Sequence, residues 1–253
     1  PSSEIKLSLG DGQAGLDDLA LTWRMIVVLL GDLAPDRLVF EVLNEPEIED
    51  AARAAVVQEH LIEAVRASGP KRWAVINGAH YSDIDDLLAL PAPRLAGVIY
   101  GFHFYTPHNF THQGATWGWP MWALLRDLPY PSSPELLEPM LPTLPEPARE
   151  HAAWYGQQAW NRQALAPGLE RAADWARRHR VPLWCSEFGV LRDTAPPDSR
   201  RAWLGDVRDL FERHHIAWSH FDWWGHFGLV TGPPRARVED ADALAGLGLV
   251  RRP

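Results

Sequence analysis

Polar residues cluster at four points in this chain, each where an apolar, strand-like run ends. Leu38-Val-Phe-Glu-Val-Leu43 runs into Asn44-Glu45-Pro46, and Val98 to His103 runs into Phe104-Tyr105. Pro182 to Ser186 leads to Glu187-Phe188-Gly189, and Ile216 to Phe221 leads to Asp222-Trp223-Trp224. Two of the clusters hold a glutamate, Glu45 and Glu187. Cleavage of a glycosidic bond needs such a pair, one carboxyl to donate a proton and one to act as nucleophile or base. The bond is inert, and a nearby carboxylate stabilises the oxocarbenium-like charge that develops as it breaks. The plainer alternative is two strand-end glutamates in unrelated loops. His103 and Tyr105 stand two apart and share a face of an extended strand, so both can point into one cleft.

An alternation of strands and amphipathic helices must position these clusters. Leu16, Leu19, Ala20, Trp23, Ile26, Val27 and Leu30 follow the spacing of one helix face, with Asp17 and Asp18 in the first turn and Gly31 as the stop. A second helix fits Ala51 to Ser68, closed by Gly69-Pro70. Trp73 to Ile76 reads as a strand, followed by a short helix from about Asp83 to Leu90. Leu169 to Arg178 is helical in pattern, and Asp198 can cap a helix carrying Trp203, Val207, Leu210 and Phe211. Ile5 to Leu9 is either a strand or a linker. Five strands alternating with helices indicate parallel βαβ units. The class is α/β, as a doubly wound sheet or a (β/α)8 TIM barrel. No glycine-rich phosphate loop opens the first helix, which counts against a dinucleotide-binding sheet. Polar clusters at C-terminal strand ends are where a barrel builds its site.

The chain is 253 residues long, 46% apolar and 23% charged, which excludes disorder and a disulfide scaffold. Its single cysteine, Cys185, can form neither an internal bridge nor a cysteine zinc cage. A net charge of −9 argues against nucleic acid. No apolar run reaches the roughly 18 residues of a membrane span. Thirteen tryptophans are present, enough both to pack a core and to line a cleft with flat faces for sugar rings. Residues from about 106 to 165 form a proline-rich stretch. Its five tryptophans mark it as an ordered insertion within one domain spanning 1–253, with a short helix near Glu150 to Trp160. His112 and Gln113 either rim the cleft or brace this insertion. His214, His215, His220 and His226 lack metal-ligand spacing, so no metal is expected. Asp83, Asp85 and Asp86 lack the glycine and terminal glutamate of a calcium loop and read as a helix cap. Gly246-Leu-Gly248 reads as a turn.

Four segments resemble the cellulase-like glycoside hydrolases of family 5. They are Val39-Phe-Glu-Val-Leu-Asn-Glu-Pro46, His103-Phe-Tyr105 with Phe110-Thr-His-Gln-Gly114, Trp184-Cys-Ser-Glu-Phe-Gly189, and Trp218 to Gly228. The resemblance implies a TIM barrel with Glu45, ending strand four, as general acid/base and Glu187, ending strand seven, as nucleophile. It implies that Asn44 binds the sugar 2-hydroxyl, that Tyr105 hydrogen-bonds the nucleophile and that His103 lines the cleft beside the acid/base. Retention of anomeric configuration follows, with carboxyl groups about 5–5.5 Å apart. The implied activity is that of a retaining endo-β-glycosidase on β-1,4-glucan, with a related β-mannanase or xyloglucanase as an alternative. The resemblance also implies a β-linked polysaccharide or oligosaccharide as partner, no cofactor, and an extracellular or periplasmic location.

Two departures qualify the resemblance. The family carries a tryptophan at the end of strand eight. Alignment on Phe227-Gly228 puts Phe221 there, with Trp223 and Trp224 just after, so the stacking platform is Phe221 or, with local slippage, Trp223. Each βα unit takes about 30 residues, so three units before strand four call for about 90. Only 37 residues precede Leu38. The expectation is therefore an incomplete barrel with strands four to eight recognisable and strands one to three largely absent, either a fragment of a longer enzyme or a shortened chain. The competing reading is a carbohydrate-binding remnant that does not cut.

Overall fold

The computed structural model of the chain describes residues 14–30, 33–34, 37–67, 69 and 72–249. Ile5 to Leu9, the Gly31 stop, Ser68 and Pro70 fall outside that set. Helix α1 (Ala14–Leu29) is followed by strand β1 (Val39–Glu41), helix α2 (Ala51–Arg66), strand β2 (Trp73–Asn77), helix α3 (Ile84–Leu88) and strand β3 (Val98–Phe104). The insertion holds the short helices α4 (His108–Thr111) and α5 (Pro134–Leu137), two 3₁₀ turns, and α6 (Glu146–Gln157). Helix α7 (Arg162–His179), β4 (Leu183–Phe188), α8 (Pro197–Arg213) and β5 (Ala217–Trp218) complete the alternation. A small hairpin of β6 (Val230–Thr231) and β7 (Val238–Glu239) and the helix α9 (Ala241–Gly246) close the described chain.

Strands β1 to β5 form one sheet in chain order, and β1–β2 and β2–β3 pair in parallel. A doubly wound sheet reverses its strand order at a switch point. Among the described strands no reversal occurs, and the sheet is a five-strand portion of a (β/α)8 barrel. No helix among the described residues is long and apolar enough to cross a membrane.

The chain divides into two units, Pro1–His103 with Arg171–Cys185 and Phe104–Glu170 with Ser186–Pro253. In the first, a buried polar lock joins helix to sheet. Gln58 Nε2 donates to Asn77 O at 2.9 Å, and Asn77 N donates back to Gln58 Oε1 at 2.9 Å. Asn77 Nδ2 then donates to Glu41 Oε1 (2.6 Å) and Leu43 O (2.7 Å), fixing the segment just before Asn44. A Cβ on Gly101 would lie 2.1 Å from Asn77 Oδ1, so only glycine lets that amide sit there. Trp23 packs edge-on against Phe40 and donates Nε1 to Val42 O at 3.3 Å.

In the second unit, Trp203 is fully buried, with ring centroids 6.2 Å from Phe104 and 6.3 Å from Phe188, and its Nε1 donates to Thr106 O at 3.1 Å. Gln113 is buried and braces the insertion. Its amide donates to Phe110 O and Leu128 O and accepts from Leu128 N.

Several element limits differ from the sequence pattern. Helix α7 begins at Arg162 rather than Leu169, because Asn161 Oδ1 accepts from Gln163 N and Ala164 N and starts the helix. Pro167 lies inside this helix, in its second turn. Asp198 does not cap α8. Pro196 holds the cap position and Pro197 the first helical position, where a missing N–H costs nothing, and Asp198 instead pairs with Arg201. Helix α6 starts at Glu146 and ends at Gln157, ahead of Trp160. Asp83 does cap α3, in a capping box with Asp86. Gly246 ends α9, and Gly248 takes a φ of 68°.

Gln58→Ala strands the main-chain N–H and C=O of Asn77 in an apolar interior. It is expected to destabilise the chain by about 1–3 kcal/mol, read from the urea midpoint at constant slope.

Candidate active site

In the first unit, the chain leaves β1 and turns sharply through Asn44-Glu45-Pro46-Glu47. Glu45 has a φ of 44° and Glu47 a φ of 57°. Left-handed backbone at a residue with a Cβ costs about 1–2 kcal/mol, so surrounding contacts must hold it. Glu47 N donates to His80 O at 3.0 Å, and Asn77 anchors Leu43 on the other side. The turn leaves Asn44 exposed and Glu45 half-buried. His103 Nδ1 lies 3.0 Å from Glu45 Oε1. The imidazole is only 3% exposed, and the His103 backbone N–H donates to Ser82 O at 2.6 Å, so this ring is a fixed partner for a carboxylate.

In the second unit, Tyr105 OH donates to Glu187 Oε2 at 3.0 Å. The phenol is gripped by His112 and Phe227, with centroids at 5.0 and 5.7 Å, and packs on the Ala115, Leu191 and Phe227 cluster. Thr111 Oγ1 donates to Tyr105 O at 2.6 Å, and Leu191 N donates to Thr111 O at 2.8 Å. The end of β4 thereby meets the segment after β3. Beyond β5, Phe221 N donates to Phe188 O at 3.0 Å, and the Phe221–Asp222 peptide is cis. A Cβ on Gly189 would stand 2.3 Å from Phe221 O, so this approach needs glycine. Phe221 is 39% exposed and touches Phe227 edge-on at 5.8 Å, whereas Trp223 is 59% exposed.

A buried arginine ties the loops that follow β4 and β5. Arg200 donates to Val190 O (3.1 Å), Phe227 O (2.8 Å) and Gly228 O (3.2 Å) and pairs with Asp240 Oδ2 at 2.5 Å. Asp240 in turn caps α9 through Ala243 N. Burial depresses the His220 imidazole to about 3, and the Arg200 charge adds to this. Burial likewise depresses His112 to about 3, with His108 contributing. Burial pushes the Asp222 carboxyl up. His226 Nδ1 stands 3.2 Å from Asp193 at an exposed position, and His214 Nε2 is 4.0 Å from Glu170.

Two pairings therefore join residues singled out by sequence: Glu45 with His103, and Glu187 with Tyr105. Asn44, Phe221 and Trp223 are all accessible. Sequence reading passed over Asn77, Thr111 and Arg200. Asn77 carried the same signal as the others, a polar residue ending an apolar strand. Arg200 carried none, since one arginine among the charges of an amphipathic helix looks like its solvent face.

Parallel strands in chain order, with a hydrogen-bonded carboxylate after the first and another at the end of the fourth, define a barrel-type α/β protein. The model of the cellulase family, glycosyl hydrolase family 5, matches residues 16–227, and the chain belongs to that family. Endoglucanase 3 of Fibrobacter succinogenes is 26% identical over 241 residues, covering 91% of this chain and 36% of the relative. Endoglucanase C of Acetivibrio thermocellus is 30% identical over 181 residues, covering 72% of this chain and 52% of the relative. The chain thus spans between 36% and 52% of the length of these curated relatives. A crystal structure of a hyperthermophilic endo-beta-1,4-glucanase in complex with substrate shares the fold, with a TM-score of 0.76 at 21% identity over 98% of this chain and 69% of that one.

The two buried neutral histidines set a pH dependence of stability. Their folded pKa values lie below the unfolded value near 6.5, so between about pH 6.5 and 3 the unfolded chain binds protons that the folded chain refuses. Stability is whole above pH 6.5 and falls as the pH drops toward 3. Urea midpoints at pH 7, 5 and 4 are expected to decline, and His112→Gln is expected to flatten that decline. Parallel slopes for the two proteins would count against it.

Proposed function

We propose that the chain is the catalytic part of a retaining endo-β-1,4-glucanase working by double displacement. The Glu187 carboxylate attacks the anomeric carbon as the glycosidic C–O bond breaks, and Glu45 gives its proton to the leaving oxygen. Water, deprotonated by Glu45, then attacks the same carbon and releases Glu187 as a carboxylate. Tyr105 donates to Glu187 and aims it. His103 orients Glu45, Asn44 receives the 2-hydroxyl, and Phe221 or Trp223 stacks on a sugar ring. A polymer too large to enter a cell places this action outside it.

The observation that carries the reading is the pair of hydrogen bonds made from the end of β3. His103 bonds Glu45 and Tyr105 bonds Glu187. Residues two apart on extended backbone are separated by about 6.5 Å and face the same way. The two pairings thus start from residues two apart on one continuous segment of chain. The names of the relatives support the substrate class: two are endoglucanases, and the solved structure is an endo-beta-1,4-glucanase.

Carried in its full reading frame, the protein is expected to hydrolyse soluble β-1,4-glucan with retention, seen as the β-anomer first by NMR. Glu187→Gln and Glu45→Gln are each expected to lower kcat by about 10²–10⁴-fold. An undiminished rate in the Glu187 variant sinks the assignment, and binding without any cleavage by the wild type favours the binding-remnant reading. Glu45, His103 and Glu187 are also metal-ligating types. Carboxylate chemistry needs no ion, so EDTA is expected to leave the rate unchanged.

Tyr105→Phe removes one charge-assisted hydrogen bond and leaves the ring packing intact. A drop in kcat of about 10- to 100-fold at nearly constant KM is expected, measured on a soluble oligosaccharide.

A further inference from the structure

Resting on the assignment of Glu45 as acid/base above, we propose that His80 is a positioning residue for that carboxyl. Its ring bridges Glu49 and Asp86 and so braces the loop after β2, whose carbonyls hold the Glu45 turn and the His103 backbone.

The loop runs from Gly78 to Asp83, between β2 and α3, and ties both members of the Glu45–His103 pairing to one piece of chain. His80 O accepts from Glu47 N at 3.0 Å, two residues beyond Glu45, and Ser82 O accepts from His103 N at 2.6 Å. Glu45, Glu47 and Ser82 have φ of 44°, 57° and 61°, and three left-handed residues with side chains need contacts that hold them. Ser82 is fully buried. Gly78 packs so closely that a Cβ there would lie 2.7 Å from Asp86 Cβ and 2.8 Å from Leu87 N. Backbone bonds and packing thus set the path of the loop, and the side chain of His80 ties it to its neighbours.

His80 Nδ1 lies 2.9 Å from Asp86 Oδ1, and Nε2 lies 2.9 Å from Glu49 Oε2. A neutral imidazole has one N–H, so only the doubly protonated ring donates to both carboxylates. Asp86 is a fixed partner. Its side chain is 13% exposed, its Oδ2 accepts from Tyr81 N (3.1 Å) and Asp83 N (3.3 Å), and its own N–H donates to Asp83 Oδ1 (2.9 Å). Glu49 comes from the segment between the Glu45 turn and α2, so the ring fastens that segment to α3. An ion pair between two exposed side chains contributes little. Here the ring joins a mostly buried carboxylate to the segment that carries Glu45, and what it adds is position. The other acids of α3 and its cap are occupied, Asp83 by Asp86 and Asp85 by Arg171 of α7 at 2.7 Å. Hydrogen bonds to Glu49 and then Asp86 raise the His80 pKa, burial opposes them, and the charges of Asp86 and Glu49 add to the rise. The brace is therefore whole below the unfolded value of about 6.5 and is lost as the pH climbs through the folded one.

The test is the full-length protein with His80→Gln, His80→Arg and Glu49→Gln. The Glu49 side chain is 95% exposed, so its variant leaves the core undisturbed. Cellotetraose needs a proton on its leaving oxygen, whereas a dinitrophenyl β-cellobioside, whose phenolate leaves unaided, does not. On cellotetraose His80→Gln is expected to lower kcat/KM about tenfold, the scale of a displaced acid/base group. Glu49→Gln is expected to lose less. His80→Arg, which keeps a cation between the two carboxylates, is expected to recover most of the loss. On the dinitrophenyl glycoside all three should match the wild type. The alkaline limb of kcat/KM on cellotetraose should carry an ionisation in the wild type that both His80 variants lack. Equal losses on the two substrates, no loss on cellotetraose, or one common alkaline limb overturns the proposal. Hydrogen exchange reads the brace without turnover. The Glu47 and His103 amides should exchange about tenfold faster in His80→Gln at about pH 6, and unaltered protection overturns it. A wild type that cuts neither substrate sinks the endoglucanase reading instead, and the exchange rates still decide whether His80 holds the turn.

Discussion

A carboxylate keeps one position only when its partner cannot move, because its own side chain turns about several free bonds. In this chain the immobile partners are His103 and Tyr105, at the C-terminal end of β3. Everything around them serves to fix those two rings. His103 is nearly sealed from water and tethered by its backbone to Ser82. Tyr105 is clamped between His112 and Phe227, with its carbonyl held by Thr111. Between them, Phe104 turns inward to stack on the buried Trp203. Phe104 thus grips the core, while His103 bonds Glu45 and Tyr105 bonds Glu187.

Holding the carboxylates in this way costs free energy elsewhere in each unit. Glu45 and Glu47 occupy left-handed backbone that a side chain disfavours, and the Asn77 amide, made possible by Gly101, helps hold the turn in that shape. Arg200 is a buried cation whose desolvation is offset by Asp240 and three carbonyls. Such a group contributes little net stability as an ion pair. What it contributes is register, since the loops after β4 and β5 and the cap of α9 all end on one guanidinium.

The strand ends were legible from sequence because one simple rule governs them. In parallel sheets buried on both faces, strands are apolar throughout, so the first polar residues mark where the backbone emerges toward a site. That rule located Glu45, His103, Tyr105 and Glu187 without knowledge of side-chain geometry. It could not supply the partners. Arg200 lies on an amphipathic helix whose charges all look alike until the loops fold over it. Asn161 starting α7 was hidden because Pro167, inside the helix, reads as a helix breaker. The hairpin of β6 and β7 has strands of two residues each, too short for any periodicity to register.

The insertion follows a different logic from the strands. The groups that hold Glu45 and Glu187 are hydrogen-bonded at fixed points. The insertion, rich in proline and tryptophan, instead carries exposed aromatic area at Trp117, Trp119 and Trp154. Prolines restrict its backbone, and tryptophans supply area with few torsions to order. Gln113 makes the division physical. Its amide bonds the backbone on both sides of residues 114–127, fastening the base of the loop while Trp119 at its tip stays open to solvent.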